Sequence, residues 1–367
     1  MPGAALLPLL CLLASELPAP GGPHTVGTRV LYLSDPGRKD LRVPERAREL
    51  LVQLWYPAED AQRRERMPYL VELELVEVLA EGRYLDLEPE TVGAWADLRT
   101  HARRDAPLAA SPARLPLLFL SPGMGMARCS YTTLATELAS HGLVVAAIDH
   151  PYCGVTVGSD GRVRTNGQDP RGAEAVVERV EEMARDARFV LDALLAPEGE
   201  LAARLDAGRV AVAGHSLGGA MALEAARVDA RFRAAIDLDG APFGRVEEEG
   251  VARAALVVLN QPELSKRPPP AMGKERHDAW VAIFAHHDTP AYLATVENTD
   301  HFSFSDAPFL LAPELRARSG ATLAAPRNLE LVVRLLRAFL ADALDLPGGE
   351  ALADVARAFP EIQLEAL

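Results

Sequence analysis

The amino-acid sequence predicts an α/β fold in which helices cover both faces of a doubly wound, mostly parallel sheet. From residue 28 onward, short apolar runs alternate with longer segments of helical periodicity. The runs at 115–121 (LPLLFLS) and 142–149 (GLVVAAID) are apolar at almost every position, as strands buried on both faces require. Repeated strand–helix alternation of this kind favours parallel strands joined by right-handed crossovers.

The individual elements follow from the same patterns. An antiparallel pair of strands is expected at 28–34 and 49–57, with a turn at Asp35-Pro36-Gly37 between them. Six apolar or β-branched runs predict the remaining strands, at 115–121, 142–149, 209–214, 234–239, 255–260 and 291–296. Four segments with helical spacing predict helices at 131–140, 171–195, 217–227 and 328–343.

One region interrupts the alternation. Residues 62–112 separate the second expected strand from the third, which is too long for a plain connection in a compact domain. The segments 69–80 and 92–103 have helical patterns, so we expect a helical insertion. It is either a helical pair packed on the edge of the sheet or a cap that supplies apolar contacts to a substrate. The whole domain is expected over 25–345, with a C-terminal tail at 346–367.

The first residues differ from the rest of the chain. Residues 4–14 (AALLPLLCLLA) form an apolar run that is shorter than the ~20 residues of a membrane-spanning helix. A breaker-rich stretch follows, so residues 1–22 are interpreted as a signal peptide or a disordered leader. We expect a secreted or periplasmic protein, with a cytoplasmic location as the alternative. In an oxidising compartment Cys129 and Cys153 could form a disulfide, and otherwise both are expected to be free, buried thiols.

Charge and composition exclude several classes of partner. The formal net charge is -14, and no basic cluster accompanies it. This balance argues against nucleic acid or an anionic membrane surface as a partner, and no segment indicates stable membrane insertion. There is no Cys-x-x-Cys pair or His/Cys cluster with metal-ligand spacing, so neither a metal nor another cofactor is expected.

The clearest chemical signal is the segment GHSLGG at 214–219, which stands between an expected strand and an expected helix. This is the G-x-S-x-G pattern of a nucleophile elbow, in which the serine occupies a sharp, strained turn. Side chains in place of Gly214 and Gly218 would collide with neighbouring backbone. Ser216 is therefore the expected nucleophile.

Two backbone amides are candidates for stabilising an oxyanion. The amide of Leu217 lies at the start of the helix that follows the nucleophile, where the helix dipole is positive. The second donor is expected in the loop after the third strand, at Met124, because Gly123 lets the backbone turn inward. Further candidates for lining a substrate pocket are Gly123, His150, His215 and Phe302, although His215 is favoured as a packing residue.

A serine hydroxyl needs a base within hydrogen-bond reach, and the chain order in this arrangement is serine, acid, histidine. His301 follows the last expected strand directly, at the carboxyl edge of the sheet. His277 lies in a charged loop (GKERHD), while His286 and His287 precede the last strand and would lie on the wrong side of the sheet. His301 is therefore the expected base.

The acid is expected at Asp239, which ends the strand at 234–239 and precedes Gly240. Two alternatives stay open. Asp237 lies in the same strand, and Glu263 follows the next strand. In the resulting scheme Ser216 attacks a carbonyl carbon, the histidine shuttles the proton, and the acid orients the imidazole.

At this point the chain resembles a known family. It resembles the platelet-activating factor acetylhydrolase (plasma/isoform II) family and its bacterial carboxylic-ester-hydrolase relatives, which lie near the cutinase and polyester-hydrolase group. Four segments carry this resemblance: LPLLFLSPGMG, LASHGLVVAAIDHP, GHSLGG and DHFSFSD. The resemblance spans residues 25–345 and implies an α/β-hydrolase fold. It implies a triad of Ser216, Asp239 and His301, with Met124 and Leu217 as oxyanion donors. The chain departs from the family by reading SPG where the acetylhydrolases usually have SHG.

These observations together predict a serine carboxylic ester hydrolase that cleaves short-chain acyl esters through an acyl-enzyme, without metal or cofactor. The alternatives within the fold are a hydrolase of acetyl or oxidised acyl groups at the sn-2 position of phospholipids, and a cutinase or polyester-type hydrolase. The expected partner is a small-molecule or lipid ester, and the sequence assigns no oligomeric state. Other classes are a peptidase or amidase, a binding protein on a hydrolase scaffold, and a metal enzyme using His286, His287 and Asp288.

Overall fold

Eleven of the strands that the structure describes form one sheet. The computed structural model describes residues 16–59, 61–75, 78, 89–165, 172–197, 201–262 and 272–367. In chain order the strands are β1 (Thr25–Lys39), β2 (Ala47–Ala58), β3 (Arg66–Pro68), β4 (Arg99–Arg104), β5 (Leu115–Ser121), β6 (Val144–Asp149), β7 (Thr156–Val157), β8 (Val163–Arg164), β9 (Leu205–His215), β10 (Phe232–Leu238), β11 (Ala254–Gln261), β12 (Ala291–Glu297) and β13 (Ile362–Ala366). The spatial order in the sheet is β13-β12-β11-β10-β9-β5-β6-β2-β1-β4-β3, and β7 and β8 pair separately.

The α-helices within the described residues pack on both faces of this sheet. They are α1 (Pro89–Ala94), α2 (Thr132–Ser140), α3 (Ala173–Leu195), α4 (Leu217–Val228), α5 (Arg245–Glu249), α6 (Met272–Phe284), α7 (Ala307–Leu310), α8 (Pro313–Arg318), α9 (Ala325–Ala343) and α10 (Leu352–Ala358). Successive side chains of β5 lie on opposite faces of the sheet. Leu117 and Phe119 pack in one core with α3 and α4, and Leu118 and Leu120 pack in another with α2 and α9. A strand buried on both sides must be apolar throughout, which is why its sequence shows no alternation.

The central strands β6, β5, β9, β10, β11 and β12 are parallel to one another, as expected for a doubly wound sheet. After β5 the chain first adds β6 on one side and then returns to add β9 on the other. The order of the sheet therefore reverses between β5 and β9. Open α/β sheets bind ligands beyond the carboxyl ends of the strands at such a switch point. The loop containing Met124 and the turn containing Ser216 both begin there.

The antiparallel pairing of β1 with β2 is confirmed, but the turn expected at 35–37 is wrong. These residues continue β1, and the pairing register shifts within this stretch. The Asp35 carboxylate accepts a hydrogen bond of 2.9 Å from the Gly37 amide, which closes a local bulge. The chain reverses at 40–46, where the Asp40 carboxylate accepts from two backbone amides at 2.9 Å.

The C-terminal residues 346–367 are not a separate tail. They contain α10 and β13, and β13 pairs antiparallel with β12. The side chains of Phe359 and Ile362 are buried in the same core as α9. Burial of these apolar groups explains why this segment completes one edge of the sheet instead of remaining in solvent.

The insertion contributes strands as well as a helix. α1 and a 3-10 helix at Trp95–Asp97 occupy the first part of the helix expected at 92–103, but the remainder forms β4. Thr100 and Ala102 are buried between more exposed neighbours, which is the period of a strand. Of the helix expected at 69–80, residues 74, 75 and 78 are helical, residues 69–73 form bends and a turn, and residues 76, 77, 79 and 80 lie outside the described residues.

A third, smaller core joins the insertion to the segments that flank the site. Tyr69, Trp95 and Leu98 of the insertion pack with Cys129, which follows β5, and with Leu310 of α7. The insertion thus extends the sheet edge through β3 and β4 and also packs beside the loops at the carboxyl end of the sheet. Its contact with a substrate stays a prediction.

Part of the expected leader belongs to the folded domain. Residues 1–15, which include Cys11, lie outside the described residues. Leu17 is buried in the third core, the Glu16 carboxylate accepts from the Arg66 guanidinium at 2.9 Å, and the Gly21 amide donates to Glu137 at 2.8 Å. The boundary expected at residue 22 is therefore too late, because residues 16–22 pack on the domain.

Cys129 and Cys153 are free, buried thiols, so the disulfide between them is not formed. Cys129 belongs to the core beneath the insertion, while Cys153 belongs to the core that contains α3 and α4. The two side chains therefore pack in different clusters.

Candidate active site

The turn that carries Ser216 is strained in the way its sequence predicts. Ser216 follows β9 directly and has φ 55° and ψ −120°, a conformation that costs a non-glycine residue free energy. A Cβ atom on Gly214 would lie 2.1 Å from the Gly218 carbonyl oxygen, and one on Gly218 would lie 2.3 Å from the Ser121 carbonyl oxygen. Glycine is therefore required at both flanking positions, as expected.

Three amides of the loop after β5 have hydrogen-bond acceptors within the protein. Gly123 donates to the Tyr131 hydroxyl at 3.0 Å, Gly125 donates to the Cys153 carbonyl at 3.0 Å, and Met126 donates to the Gly123 carbonyl at 3.0 Å. Within the part of the chain that the structure describes, the Met124 amide has no acceptor. Its role as an oxyanion donor stays a prediction.

The nucleophile turn offers the second donor. The amides of Gly219 and Ala220 both donate to the Ser216 carbonyl, at 2.9 and 3.2 Å. The Leu217 amide, at the first residue of α4, has no acceptor among the described residues. A Cβ atom on Gly123 would lie 3.2 Å from Cβ of Ser216, so the loop of Met124 passes close beside the serine.

A chain of hydrogen bonds connects this loop to His301. The Tyr131 hydroxyl accepts from the Gly123 amide and lies 2.8 Å from Nδ1 of His215, and Nε2 of His215 lies 2.7 Å from the His301 carbonyl oxygen. Burial, together with the neighbouring His301, lowers the pKa of His215 to about 3, so its imidazole is neutral. A carbonyl can only accept, so Nε2 carries the proton and Nδ1 accepts from the tyrosine. His215 is fully buried and positions the His301 backbone rather than lining a pocket.

Asp239 and His301 form the pair that the sequence predicts. Nδ1 of His301 lies 2.5 Å from Oδ2 of Asp239. The Asp239 side chain is 1% exposed and that of His301 42% exposed. Asp239 has φ 59°, and the Ser216 amide donates at 2.9 Å to the carbonyl of Leu238, the preceding residue. The acid turn and the nucleophile turn are thus joined through the backbone.

Two residues that sequence reasoning missed complete the surroundings of the acid. The Asn260 backbone amide donates to Oδ1 of Asp239 at 3.0 Å, and its side-chain amide donates to Oδ2. Nη2 of Arg276 lies 3.2 Å from Oδ1. Burial alone would raise the pKa of the Asp239 carboxyl, but the His301 hydrogen bond and the Arg276 charge outweigh burial and hold that pKa below its ordinary value.

The structure does not support the alternative acids. Asp237 is fully buried and its Oδ1 accepts from the Gly240 amide at 2.5 Å, while its Oδ2 has no partner among the described residues. Burial raises the pKa of Asp237 to about 7. Its carboxyl points beneath the nucleophile turn, where a Cβ atom on Gly219 would lie 2.4 Å from Oδ1. Glu263 lies outside the described residues. Asn260, near the end of the strand that precedes it, donates hydrogen bonds to the Asp239 carboxylate.

The expectation that His150 lines the pocket is wrong. Its ring is buried, and its Nδ1 lies 2.9 Å from Oδ2 of Asp186, which also accepts from Arg48 at 2.7 Å. His150 therefore belongs to a buried ionic cluster with α3. Phe302 is partly buried, and its ring centroid lies 5.5 Å from that of His301.

The other histidines lie elsewhere. His277 is not in a loop but on α6, where its Nε2 lies 2.8 Å from the Glu365 carboxylate. Nε2 of His287 donates to the Glu249 carbonyl at 2.7 Å. Across the described residues, no group of three or more His, Cys, Asp or Glu side chains is arranged to hold a metal ion. Likewise, none of the described helices combines the length and apolar character needed to cross a membrane.

A surface cavity of about 460 Å³ adjoins the loop of Met124. Its walls come from the segment after β6 and from α3, and they include Tyr152, Arg179 and Arg42. The Arg179 guanidinium lies 3.3 Å from the Met124 sulfur, and the Arg42 guanidinium stacks 4.4 Å above the Tyr152 ring. Nothing in the sequence patterns predicts these lining residues, because they come from segments distant along the chain.

Family models match two overlapping parts of the chain. The model of platelet-activating factor acetylhydrolase, isoform II, matches residues 12–154, and that of serine aminopeptidase, S33, matches residues 113–263. A probable 1-alkyl-2-acetylglycerophosphocholine esterase of Arthroderma benhamiae is 26% identical over 247 residues, covering 64% of this chain but only 61% of its own length. Platelet-activating factor acetylhydrolase of Gallus gallus is 23% identical over 341 residues, or 80% of this chain and 75% of that protein.

A solved structure matches almost the whole chain. The ferulic acid esterase from Streptomyces cinnamoneus is 32% identical, has a TM-score of 0.79, and covers 95% of this chain and 98% of its own. This likeness and the parallel sheet confirm the α/β-hydrolase fold. The chain belongs to the platelet-activating factor acetylhydrolase isoform II-like family of α/β-hydrolases.

Proposed function

We propose that this protein is a serine carboxylic ester hydrolase that cleaves short-chain acyl esters through an acyl-enzyme. The observation that carries the proposal is the strained Ser216 turn beside the 2.5 Å pair of His301 and Asp239. Strain at a non-glycine residue persists only where the surrounding structure enforces it, and it concentrates at functional sites.

The reaction follows from the positions of these groups. Ser216 attacks the ester carbonyl while Nε2 of His301 takes its proton, because Nδ1 is held by Asp239. The amides of Met124 and Leu217 bind the oxyanion, and each such donor is typically worth roughly 2.7–4 kcal/mol in the transition state. His301 then protonates the leaving alcohol. Water, activated by the same histidine, hydrolyses the acyl-enzyme and restores Ser216.

The relatives support an ester over an amide as the substrate. The solved relative is named a ferulic acid esterase and the relative from Arthroderma benhamiae a probable 1-alkyl-2-acetylglycerophosphocholine esterase, so both names state ester cleavage. A generic ester hydrolase is therefore the proposal, with the phospholipid sn-2 ester and polyester activities as narrower alternatives. The loop reads Ser121-Pro122-Gly123 in place of the family's usual SHG, which favours the generic assignment.

The test begins with p-nitrophenyl esters from acetyl to palmitoyl and with the matching anilides. The wild type should cleave the short esters and leave the anilides, whereas a peptidase would cleave both. Ser216→Ala should abolish ester hydrolysis with its fold unchanged. An organophosphonate should label the wild type once, on the peptide that contains Ser216. A label on another peptide, or a fully active Ser216→Ala variant, would overturn the assignment.

The same assay distinguishes the acids. Asp239→Asn should lower kcat by several orders of magnitude, because asparagine can hold the imidazole in the wrong tautomer; the loss in a serine protease was ~10⁴. Glu263→Gln is the matched control and should change kcat little. The opposite ranking of these two variants would place the acid after β11. A protein that binds esters without turning them over would reveal a binding scaffold instead.

A further inference from the structure

Arg276 lies against the acid that pairs with His301. Its Nη2 lies 3.2 Å from Oδ1 of Asp239 and 2.6 Å from the carbonyl oxygen of Gly240, the next residue. The Arg276 side chain is 30% exposed, so a partly exposed cation contacts a buried carboxylate. The residue comes from α6, between β11 and β12, and not from the strand ends that usually supply the triad.

We propose that Arg276 is a positioning residue for the triad, which fixes the rotamer of the Asp239 carboxylate and offsets part of the negative charge that Asp239 presents to His301. The inference rests on the proposed function, since it assigns Arg276 a role in activating Ser216. Arg276 touches neither the serine nor His301 in any contact of the described structure. It acts through Asp239.

The first role of Arg276, fixing the orientation of the Asp239 carboxylate, is supported by the hydrogen-bond donors around that carboxylate. Oδ2 of Asp239 receives His301 and the Asn260 side chain, and Oδ1 receives the Asn260 backbone amide and Arg276. Rotation of the carboxylate would break all four contacts together. By also bonding the Gly240 carbonyl, Arg276 holds the backbone beside Asp239, a residue in the left-handed region. Nη2 makes both contacts, so a lysine would retain the charge but not the planar guanidinium that places this nitrogen between the two oxygens.

The second role of Arg276, offsetting the charge of Asp239, follows from the signs of the charges on the two side chains. A carboxylate beside an imidazole favours the imidazolium form, and a guanidinium on the far side of that carboxylate opposes it. Without Arg276, the negative charge of Asp239 would act on His301 without this opposition. Protonation of the His301 imidazole would then be easier. The ionisable groups that face this pair include Asp237, His215 and Arg276, and Asp300 directly precedes His301.

The experiment compares the pH dependence of kcat/KM for a short p-nitrophenyl ester in the wild type, Arg276→Gln and Arg276→Lys. His277→Gln is the matched control, because it removes an ion pair from the neighbouring position of the same helix. The midpoint of the acidic limb should move upward by about 0.5–1 pH unit in Arg276→Gln and by less in Arg276→Lys. It should stay unchanged in the control. A merely structural role would lower kcat/KM equally at all pH values.

Phosphonylation of Ser216 supplies a readout that needs no ester turnover. The rate of labelling by an organophosphonate depends on the same base, so its acidic limb should shift upward in Arg276→Gln as well. A wild type that is labelled but hydrolyses no ester would contradict the proposed function and still allow the Arg276 comparison. An unshifted acidic limb in Arg276→Gln would overturn the inference, and Arg276→Met, which also removes the charge, decides the question should Arg276→Gln fail to fold.

Discussion

At the scale of single residues, the site is built by a few positions whose backbone conformation is unfavourable. Ser216 and Asp239 both have positive φ, at 55° and 59°. Tertiary contacts enforce these conformations, because the Ser216 amide bonds the Leu238 carbonyl and the Asp239 amide bonds the Val258 carbonyl at 2.7 Å. The strain is therefore held by the neighbouring strands, and it aims both side chains away from the sheet.

Asp237 provides a prediction at the same scale. Its pKa of about 7 in the folded protein lies above the ordinary value of 3.8, because burial disfavours the ionised form. The unfolded chain loses this proton near pH 4 and the folded protein only near pH 7, so the stability contribution falls as pH rises between them. Asp237→Asn should therefore stabilise the protein by about 2–3 kcal/mol at pH 8 and have little effect near pH 4.

Urea unfolding of the wild type and Asp237→Asn at both pH values measures this difference. Esterase activity of the variant should be retained, since Asp237 does not contact His301 in the described structure. An equal stability change at both pH values would contradict a neutral carboxyl beneath the nucleophile turn. A loss of kcat as large as that of Asp239→Asn would show that Asp237 is the acid.

At the scale of elements, one carboxylate ties the histidine loop to the helix after the loop of Met124. Asp306, in the segment DHFSFSD, accepts from the amides of Thr132 and Thr133 at 2.9 and 3.0 Å, and its own amide donates to the Ser130 carbonyl at 2.7 Å. It thus caps α2 from a position 174 residues away along the chain. This contact holds the histidine loop against the start of α2.

Asp306→Ala should lower the free energy of unfolding by about 2 kcal/mol, because two buried helix amides lose their acceptor. It should also reduce kcat/KM through the displaced loops. Asp354→Ala is the matched control, because Asp354 is an exposed acid in the first turn of α10. That substitution should change stability by no more than about 0.5 kcal/mol. Equal effects of the two substitutions, measured by chemical denaturation, would contradict the bridging role.

At the scale of the whole molecule, a buried ionic cluster joins the insertion to the sheet. The Arg128 guanidinium is fully buried and donates to both carboxylate oxygens of Glu72 at 2.7 Å and to Asp149 at 2.5 Å. Glu72 belongs to the insertion, Asp149 ends β6, and Arg128 follows the loop of Met124. Three distant segments therefore depend on one cation at the carboxyl end of the sheet.

Replacing Arg128 by Met should cost about 3–5 kcal/mol, because two buried carboxylates lose their partner. Limited proteolysis should then cut the insertion faster than in the wild type. Arg104→Met is the control within the insertion, since its ion pair with Glu65 is exposed and 4.0 Å long. Such surface pairs are worth about 1 kcal/mol or less. If Arg128→Met unfolds in urea at the same concentration as the control, the cluster does not anchor the insertion.

The sequence by itself determined the fold class and the candidate chemistry. Runs such as 115–121 must be buried on both faces, and the glycines around Ser216 admit only a tight turn. These are local requirements, so a single segment reveals them. The same reasoning misread Asp35-Pro36-Gly37 as a hairpin turn and 99–103 as helix, because turn propensity and short-range periodicity are overridden by pairing with distant strands.

Only the tertiary structure decided what surrounds the candidate residues. Arg276 and Asn260 reach Asp239 from other elements, His150 turns to Asp186 instead of the pocket, and the two cysteines lie in separate cores. A side chain's partner depends on which segments the sheet order brings together, and residues far apart in the chain carry no shared pattern that records it. Short motifs therefore indicate the candidate chemistry of the site, whereas the charges and hydrogen bonds around it depend on tertiary packing.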